Sequence, residues 1–133
     1  MTKKRRKEIK QKIGDIFCNQ LTKLKLPPAD VYILFPEDEG WEKTDTGGYS
    51  VFVNYPYRSI NLNVSEEHVC DFDTRDIEDT TSLLLHEALH VLLWDYTYLA
   101  ESRYASEKEL HNTEEKIVEQ LVQIIYPLIH DNK

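Results

Sequence analysis

Five consecutive residues, His86-Glu87-Ala88-Leu89-His90, combine two imidazoles and a carboxylate at a spacing that suits metal chemistry. Residues four apart lie on the same face of a helix, one turn from each other. His86 and His90 can therefore direct ring nitrogens at one point, as zinc ligands with bonds of about 2.0–2.1 Å must do. In an otherwise apolar helix, these polar groups would have no other partner. The spacing predicts a metal site, and we expect the metal to be zinc.

Glu87 is rotated about a quarter turn from His86 and cannot easily join the same ligand set. It can reach a water that the metal activates, accept its proton, and pass that proton to a leaving amine. We therefore interpret the chain as a zinc metallopeptidase that hydrolyses peptide bonds by a metal-bound water, with Glu87 as general base. The alternative is a zinc-binding regulatory or protein-binding module without protease activity. Glu87 favours hydrolysis, because a structural zinc needs no base.

The third metal ligand must come from a second element, because Asp95 lies on the same helix as the histidines. The final helix offers Glu114, Glu115 and Glu119, and the loop before it offers His111. We favour Glu115 as the ligand, with Glu119 one turn later accepting the outer N–H of a ligating histidine. Glu114 has no such support and is interpreted as an acid in the first turn of a helix. Glu114 and His111 remain alternatives as ligands.

The elements that position these residues follow from apolar spacing and predict a single α+β domain over residues 1–133. An amphipathic helix over 5–24 ends at Leu26-Pro27-Pro28, and residues 1–8 are expected to be a frayed basic tail. Three strands are predicted, at 31–35, 49–55 and 59–64, in a mostly antiparallel sheet.

The remaining elements are two helices. The capping residues Asp79, Thr80 and Thr81 predict the start of the active-site helix, which we expect to run to about Tyr96. A loop or short helical piece follows to residue 112. Thr113 is then the expected N-cap of the last helix.

Composition limits the classes of function. The chain has 133 residues and a net charge of -8. Nine Lys or Arg residues against two acids give residues 1–25 a charge of +7, which leaves -15 for the rest. An acidic body argues against nucleic-acid binding, for which only the N-terminus is suited. The lack of a long apolar run argues against a membrane span. Two distant cysteines, Cys18 and Cys70, and the lack of a secretory signal favour a cytoplasmic protein.

The histidine motif, followed by Glu115-Lys116-Ile117-Val118-Glu119 on a later helix, resembles the gluzincin metallopeptidases. The small size and the short sheet ahead of the motif are similar to minimal gluzincins of phages and bacterial mobile elements. The spacing also resembles the ImmA/IrrE-type enzymes, although these usually have Asn four residues after the glutamate, where this chain has Glu119. Leu93 and Tyr96 exclude a metzincin, which needs Gly and His there.

The resemblance implies a zincin-like fold, a peptide or protein substrate, and a strand at the edge of the cleft that binds the peptide backbone. Residues 59–64, which precede the motif helix, are our candidate for this strand. Zincins also use a Tyr, His or Arg to stabilise the oxyanion. Six residues are available for that role: Tyr57, Tyr96, Tyr98, Arg103, Tyr104 and His111.

Overall fold

The computed structural model describes residues 1–43, 48–54, 59–101 and 106–130, except for some side chains in the last two helices. The described elements are mixed α and β, as the sequence predicts. In chain order they are α1 (Lys3–Lys23), β1 (Asp30–Leu34), β2 (Tyr49–Asn54), β3 (Ser59–Val64), α2 (Glu66–Cys70), α3 (Ile77–Glu101) and α4 (Glu107–His130).

Helix α1 covers the sheet with an apolar stripe formed by Ile9, Ile13, Phe17 and Leu21, all of which are buried. The side chain of Thr2 caps the helix by accepting a hydrogen bond from the N–H of residue 5 at 3.0 Å. Residues 3–8, which we expected to belong to a frayed tail, lie within α1. Arg5 pairs with Asp73, and Arg6 pairs with Glu37 and Glu66.

The sheet has the strand order β1-β3-β2. β3 pairs in parallel with β1 and antiparallel with β2, so the sheet is mixed and not mostly antiparallel. Residues 59–64 form the central strand, which cannot also be the strand at the edge of a cleft. Our assignment of that role to 59–64 is thus wrong, and β2 is the edge strand beside α3. The predicted end of β2 at Tyr55 lies outside the described residues.

Helix α3 is buried on two faces, which explains its nearly continuous apolar sequence. Leu84, Ala88 and Val91 pack with α1 and the sheet in one core. Leu85 and Leu89 pack with α4 in a second core. The helix that carries the histidine motif is therefore held from both sides.

The predicted starts of α3 and α4 were wrong, and the short helix α2 was missed. In each case a side chain earlier in the sequence caps the helix. Ser65 accepts a hydrogen bond from the N–H of His68 and starts α2, a short helix that the apolar spacing does not predict. Asp76 accepts from the N–H of Glu78 at 3.0 Å, so α3 begins before the expected cap at 79–81. Ser106 accepts from the N–H of Glu109 at 3.2 Å, so α4 begins six residues before Thr113. None of the described helices has the length and apolar character needed to cross a membrane.

Candidate metal centre

The site is built on the packing of α4 against α3. Leu85 and Leu89 of α3 are fully buried against Val118 and Val122 of α4. His86 and His90 lie beside these leucines on the same helix, so they too face α4. This packing brings both imidazoles against the glutamates of α4.

Three potential ligand atoms converge at this interface. Nε2 of His86 lies 3.2 Å from Nε2 of His90. The carboxylate of Glu115 lies 3.3 Å from Nε2 of His86 and 2.9 Å from Nε2 of His90. These are the residues expected to bind the metal, and within the described parts of the chain they form the group that could hold an ion.

The outer nitrogens of both rings face carboxylates. Nδ1 of His86 lies 2.7 Å from Oε1 of Glu119, and Nδ1 of His90 lies 2.5 Å from Oε1 of Glu114. A carboxylate accepts hydrogen bonds, so we assign the ring proton of each neutral histidine to Nδ1. Both Nε2 atoms then present lone pairs towards each other and towards Glu115. These atoms repel each other unless a metal cation lies between them or a proton is bound to one of the Nε2 atoms.

The dimensions of this triangle fit zinc. Ligand atoms at tetrahedral positions with bonds of about 2.0–2.1 Å are separated by about 3.3 Å. The two Nε2 atoms are 3.2 Å apart, and Oε2 and Oε1 of Glu115 lie 3.3 Å from His86 Nε2 and 2.9 Å from His90 Nε2 respectively, which is close to that value. The carboxylates of Glu114, Glu115 and Glu119 around two imidazoles also provide the negative charge that a divalent cation neutralises. The residues present therefore form a group that could hold a metal ion, with two His ligands and one Glu ligand.

Glu87 lies next to this group but is held by different partners. It is 8% exposed, and the backbone N–H of Val51 in β2 donates to its carboxylate. Burial raises the pKa of Glu87 to about 8, and the charge of Glu115 contributes in the same direction. The positive charge of a nearby cation would act in the opposite direction and favour the ionised form that a base requires.

The electrostatics of His90 also depend on the glutamates of α4. Burial by itself lowers the pKa of this imidazole. The hydrogen bond with Glu114 and the charges of Glu87, Glu114 and Glu115 outweigh this effect, so the pKa is raised overall. In the absence of a metal, the same charges thus attract a proton to the ring.

Other residues considered for the site have different positions. Nε2 of His111 lies 3.8 Å from Glu115, and its side chain is 61% exposed, outside the ligand triangle but on the wall of the cleft. The remaining oxyanion candidates, Tyr57, Tyr96, Tyr98, Arg103 and Tyr104, have no described side chains.

Sequence reasoning misjudged Glu114. We expected an acid at the start of a helix, but the residue is two turns inside α4, 7% exposed, and paired with His90. Its spacing to Val118 and Val122, each four residues further on, places it on the buried stripe of α4. A carboxylate on such a stripe needs a partner, and this was the available signal.

A cleft of about 1200 Å³ opens onto the ligand triangle. One wall is β2, from Gly48 to Asn54, and the others come from α3 and α4. His68 of α2 contributes to the wall near Gly48. The cleft thus brings the edge strand β2 and the candidate metal ligands into one cavity.

Comparison of the chain with protein-family models, curated proteins and solved structures finds no match. Function must therefore be inferred from the chemistry of the site.

Proposed function

We propose that this protein is a zinc-dependent metallopeptidase with a zincin-like α+β domain. The observation that carries the proposal is the convergence of His86 Nε2, His90 Nε2 and the Glu115 carboxylate within 3.3 Å of each other. A structural zinc site usually has four protein ligands, whereas a catalytic site keeps one position open. The described residues supply three potential ligands, all of which line the cleft.

Each residue has a distinct role in this proposal. His86, His90 and Glu115 hold the zinc, which, when bound, lowers the pKa of water towards neutrality and polarises the substrate carbonyl. Glu119 and Glu114 fix the orientation and the tautomer of His86 and His90 respectively. Both carboxylates come from α4, as does Glu115. The position of α4 along α3 therefore determines the contacts of all three carboxylates with the two histidines.

Glu87 is the general base. Its side chain accepts the proton of the attacking water and then donates it to the amine that leaves when the peptide C–N bond breaks. The N–H of Val51 holds the carboxylate in place during both transfers. A base that also contacts the edge strand would lie between the metal ligands and a peptide bound to that strand.

The free edge of β2 is suited to a peptide backbone. The N–H of Ser65 donates to the carbonyl of Gly48 at 2.9 Å, which continues the register of the β2–β3 pair. Because antiparallel residues alternate between facing the partner strand and facing away, the backbone groups of Tyr49, Val51 and Val53 point outwards. No described strand pairs with this edge. An extended peptide can add to it as a further strand through backbone groups other than the N–H of Val51, which donates to Glu87.

Two measurements test the proposal. Native mass spectrometry of the purified protein is expected to find about one zinc per chain. The zinc-loaded protein is then incubated with an unstructured protein such as casein, with the Glu87→Gln variant as control. This variant should keep its zinc and lose hydrolysis, because Gln cannot accept a proton. Zinc binding without Glu87-dependent cleavage of any protein or peptide would instead favour the regulatory module.

A further inference from the structure

The two ends of the cleft are marked by residues of α3. α3 and α4 are antiparallel, since His86 faces Glu119 while His90 faces Glu114. One end of the cleft is therefore marked by Leu83 on α3, and the opposite end by Trp94. With a helical rise of 1.5 Å per residue, these side chains are about 16 Å apart, the length of about five extended residues.

Two carboxylates that the metal centre does not use, those of Glu42 and Glu107, line the cleft. Glu42 lines the cleft near Ser50, because its backbone N–H donates to the side chain of Asn63, the register partner of Ser50. Glu107 lines the cleft two turns before Glu114, on the side of Trp94. Both side chains are exposed, and neither makes an ion pair or a side-chain hydrogen bond with a described residue.

The acidic residues that face the basic residues of α1 differ from Glu42 and Glu107, because they do have cationic partners. Arg6 bonds both Glu37 and Glu66, Lys10 lies 2.5 Å from Asp38, and Arg5 pairs with Glu8 and Asp73. These pairs neutralise acids away from the cleft. Among the described residues that line the cleft, there is no Lys or Arg that could neutralise Glu42 or Glu107.

Exposed apolar side chains accompany the two carboxylates. Phe52 is 49% exposed and packs edge-on against Trp94 at 5.5 Å, at the end near Glu107. Leu83 is 40% exposed at the other end. A peptide that adds to β2 would place its side chains alternately towards and away from these groups.

From these observations we infer that the cleft selects cationic peptides that carry basic and apolar side chains. This specificity rests on the proposed peptidase function. Glu42 and Glu107 are the residues that would determine it, because each offers a negative charge to the cleft that no described residue neutralises. Attraction between these exposed groups weakens as salt screens it.

Binding to the zinc-loaded Glu87→Gln variant tests this without requiring catalysis. Three fluorescent decapeptides share one apolar pattern and differ only in carrying Lys, Gln or Glu at four positions. Fluorescence anisotropy is expected to show the Lys peptide binding at least tenfold more tightly than the Glu peptide at 50 mM salt, with a smaller preference at 300 mM. Replacing Glu42 and Glu107 together by Lys should remove this preference.

The matched control replaces Glu39 and Glu109 by Lys. These residues are exposed and do not line the cleft, and Glu109 shares the first turn of α4 with Glu107. This control has the same net charge and should retain the preference. Equal binding of the three peptides, or equal loss in both double variants, would overturn the inference. Failure of the peptidase proposal has a separate signature: the charge preference persists while Glu87-dependent cleavage is absent.

Discussion

Oε1 of Glu114 lies 2.5 Å from Nδ1 of His90, and both side chains are buried between α3 and α4. The carboxylate fixes the proton on Nδ1 and leaves Nε2 as the atom that faces His86 and Glu115. Glu119 has the same relation to His86, at 2.7 Å. Each histidine of the motif therefore has its own carboxylate, one buried and one largely exposed.

Replacing Glu114 by Gln is expected to weaken zinc binding by about 10- to 100-fold, as for other carboxylates that orient a metal-binding histidine. The amide keeps the size of the side chain but lacks the negative charge that favours the N–H of His90. Competition with a chromophoric zinc chelator measures the affinity. Glu109→Gln, an exposed change on the same helix, is the control. An unchanged affinity in Glu114→Gln would show that His90 needs no such partner.

The sequence alone was sufficient for the parts of the site that depend on helical spacing. His86 and His90 lie four apart, as do Glu115 and Glu119, and these distances are set by the helix itself. The role of Glu114 depends instead on how α4 is rotated against α3. This rotation is fixed by Val118 and Val122 packing on Leu85 and Leu89, which are contacts between distant parts of the chain.

The order of the strands in the sheet could also not be predicted from the sequence. β3 alternates apolar and polar residues, whereas β2 has the consecutive apolar residues Val51, Phe52 and Val53, and neither pattern distinguishes an edge strand from a central one. β3 became the central strand because β1 pairs with its second edge in parallel. Such long-range pairing leaves no local signal, and for this reason the edge strand was misassigned.

As pH falls, zinc affinity is expected to start to decline at a higher pH than it would if the ligand were a free imidazole, whose pKa is about 6.5. The pKa of His90 is raised, so below that raised value zinc must displace a proton from the ring. As pH falls through this range, affinity should fall up to about tenfold per pH unit for each proton displaced. Chelator competition between pH 8 and 5 measures the onset.

Glu114→Gln provides the internal comparison for this pH dependence. Without the carboxylate, the pKa of His90 is expected to fall and the onset to move to lower pH. If the wild-type protein binds zinc with constant affinity down to pH 6, proton competition at His90 does not control binding.

The stability of the metal-free protein is expected to depend on Glu87. Its pKa is raised to about 8 in the folded state, against a usual value of 4.5. The stabilising contribution of the protonated form is complete below pH 4.5 and is lost as pH rises to about 8, because ionisation is favoured only in the unfolded chain. The wild-type free energy of unfolding should therefore decrease over this range relative to Glu87→Gln.

Urea unfolding of both metal-free proteins at pH 5 and pH 8.5 measures this difference. Because one unit of pKa shift corresponds to about 1.4 kcal/mol, we expect Glu87→Gln to gain more than about 1 kcal/mol relative to wild type between the two pH values. His90 titrates in both proteins, so the comparison largely removes its contribution. A difference between the proteins that does not change with pH would contradict the burial of Glu87 as an acid.

The last prediction separates the possible third ligands. The carboxylate of Glu115 lies within 3.3 Å of both Nε2 atoms, whereas His111 is 3.8 Å from Glu115 and largely exposed. Glu115→Ala should therefore lower zinc affinity by well over about 100-fold, beyond the range expected for Glu119→Ala, which removes only an orienting carboxylate. His111→Ala should retain zinc and slow hydrolysis if this side chain contacts the oxyanion. Asn112→Ala, on the same wall of the cleft, is the control for both measurements. Loss of zinc from His111→Ala, together with its retention by Glu115→Ala, would replace the two-histidine, one-glutamate site by a site with three histidines.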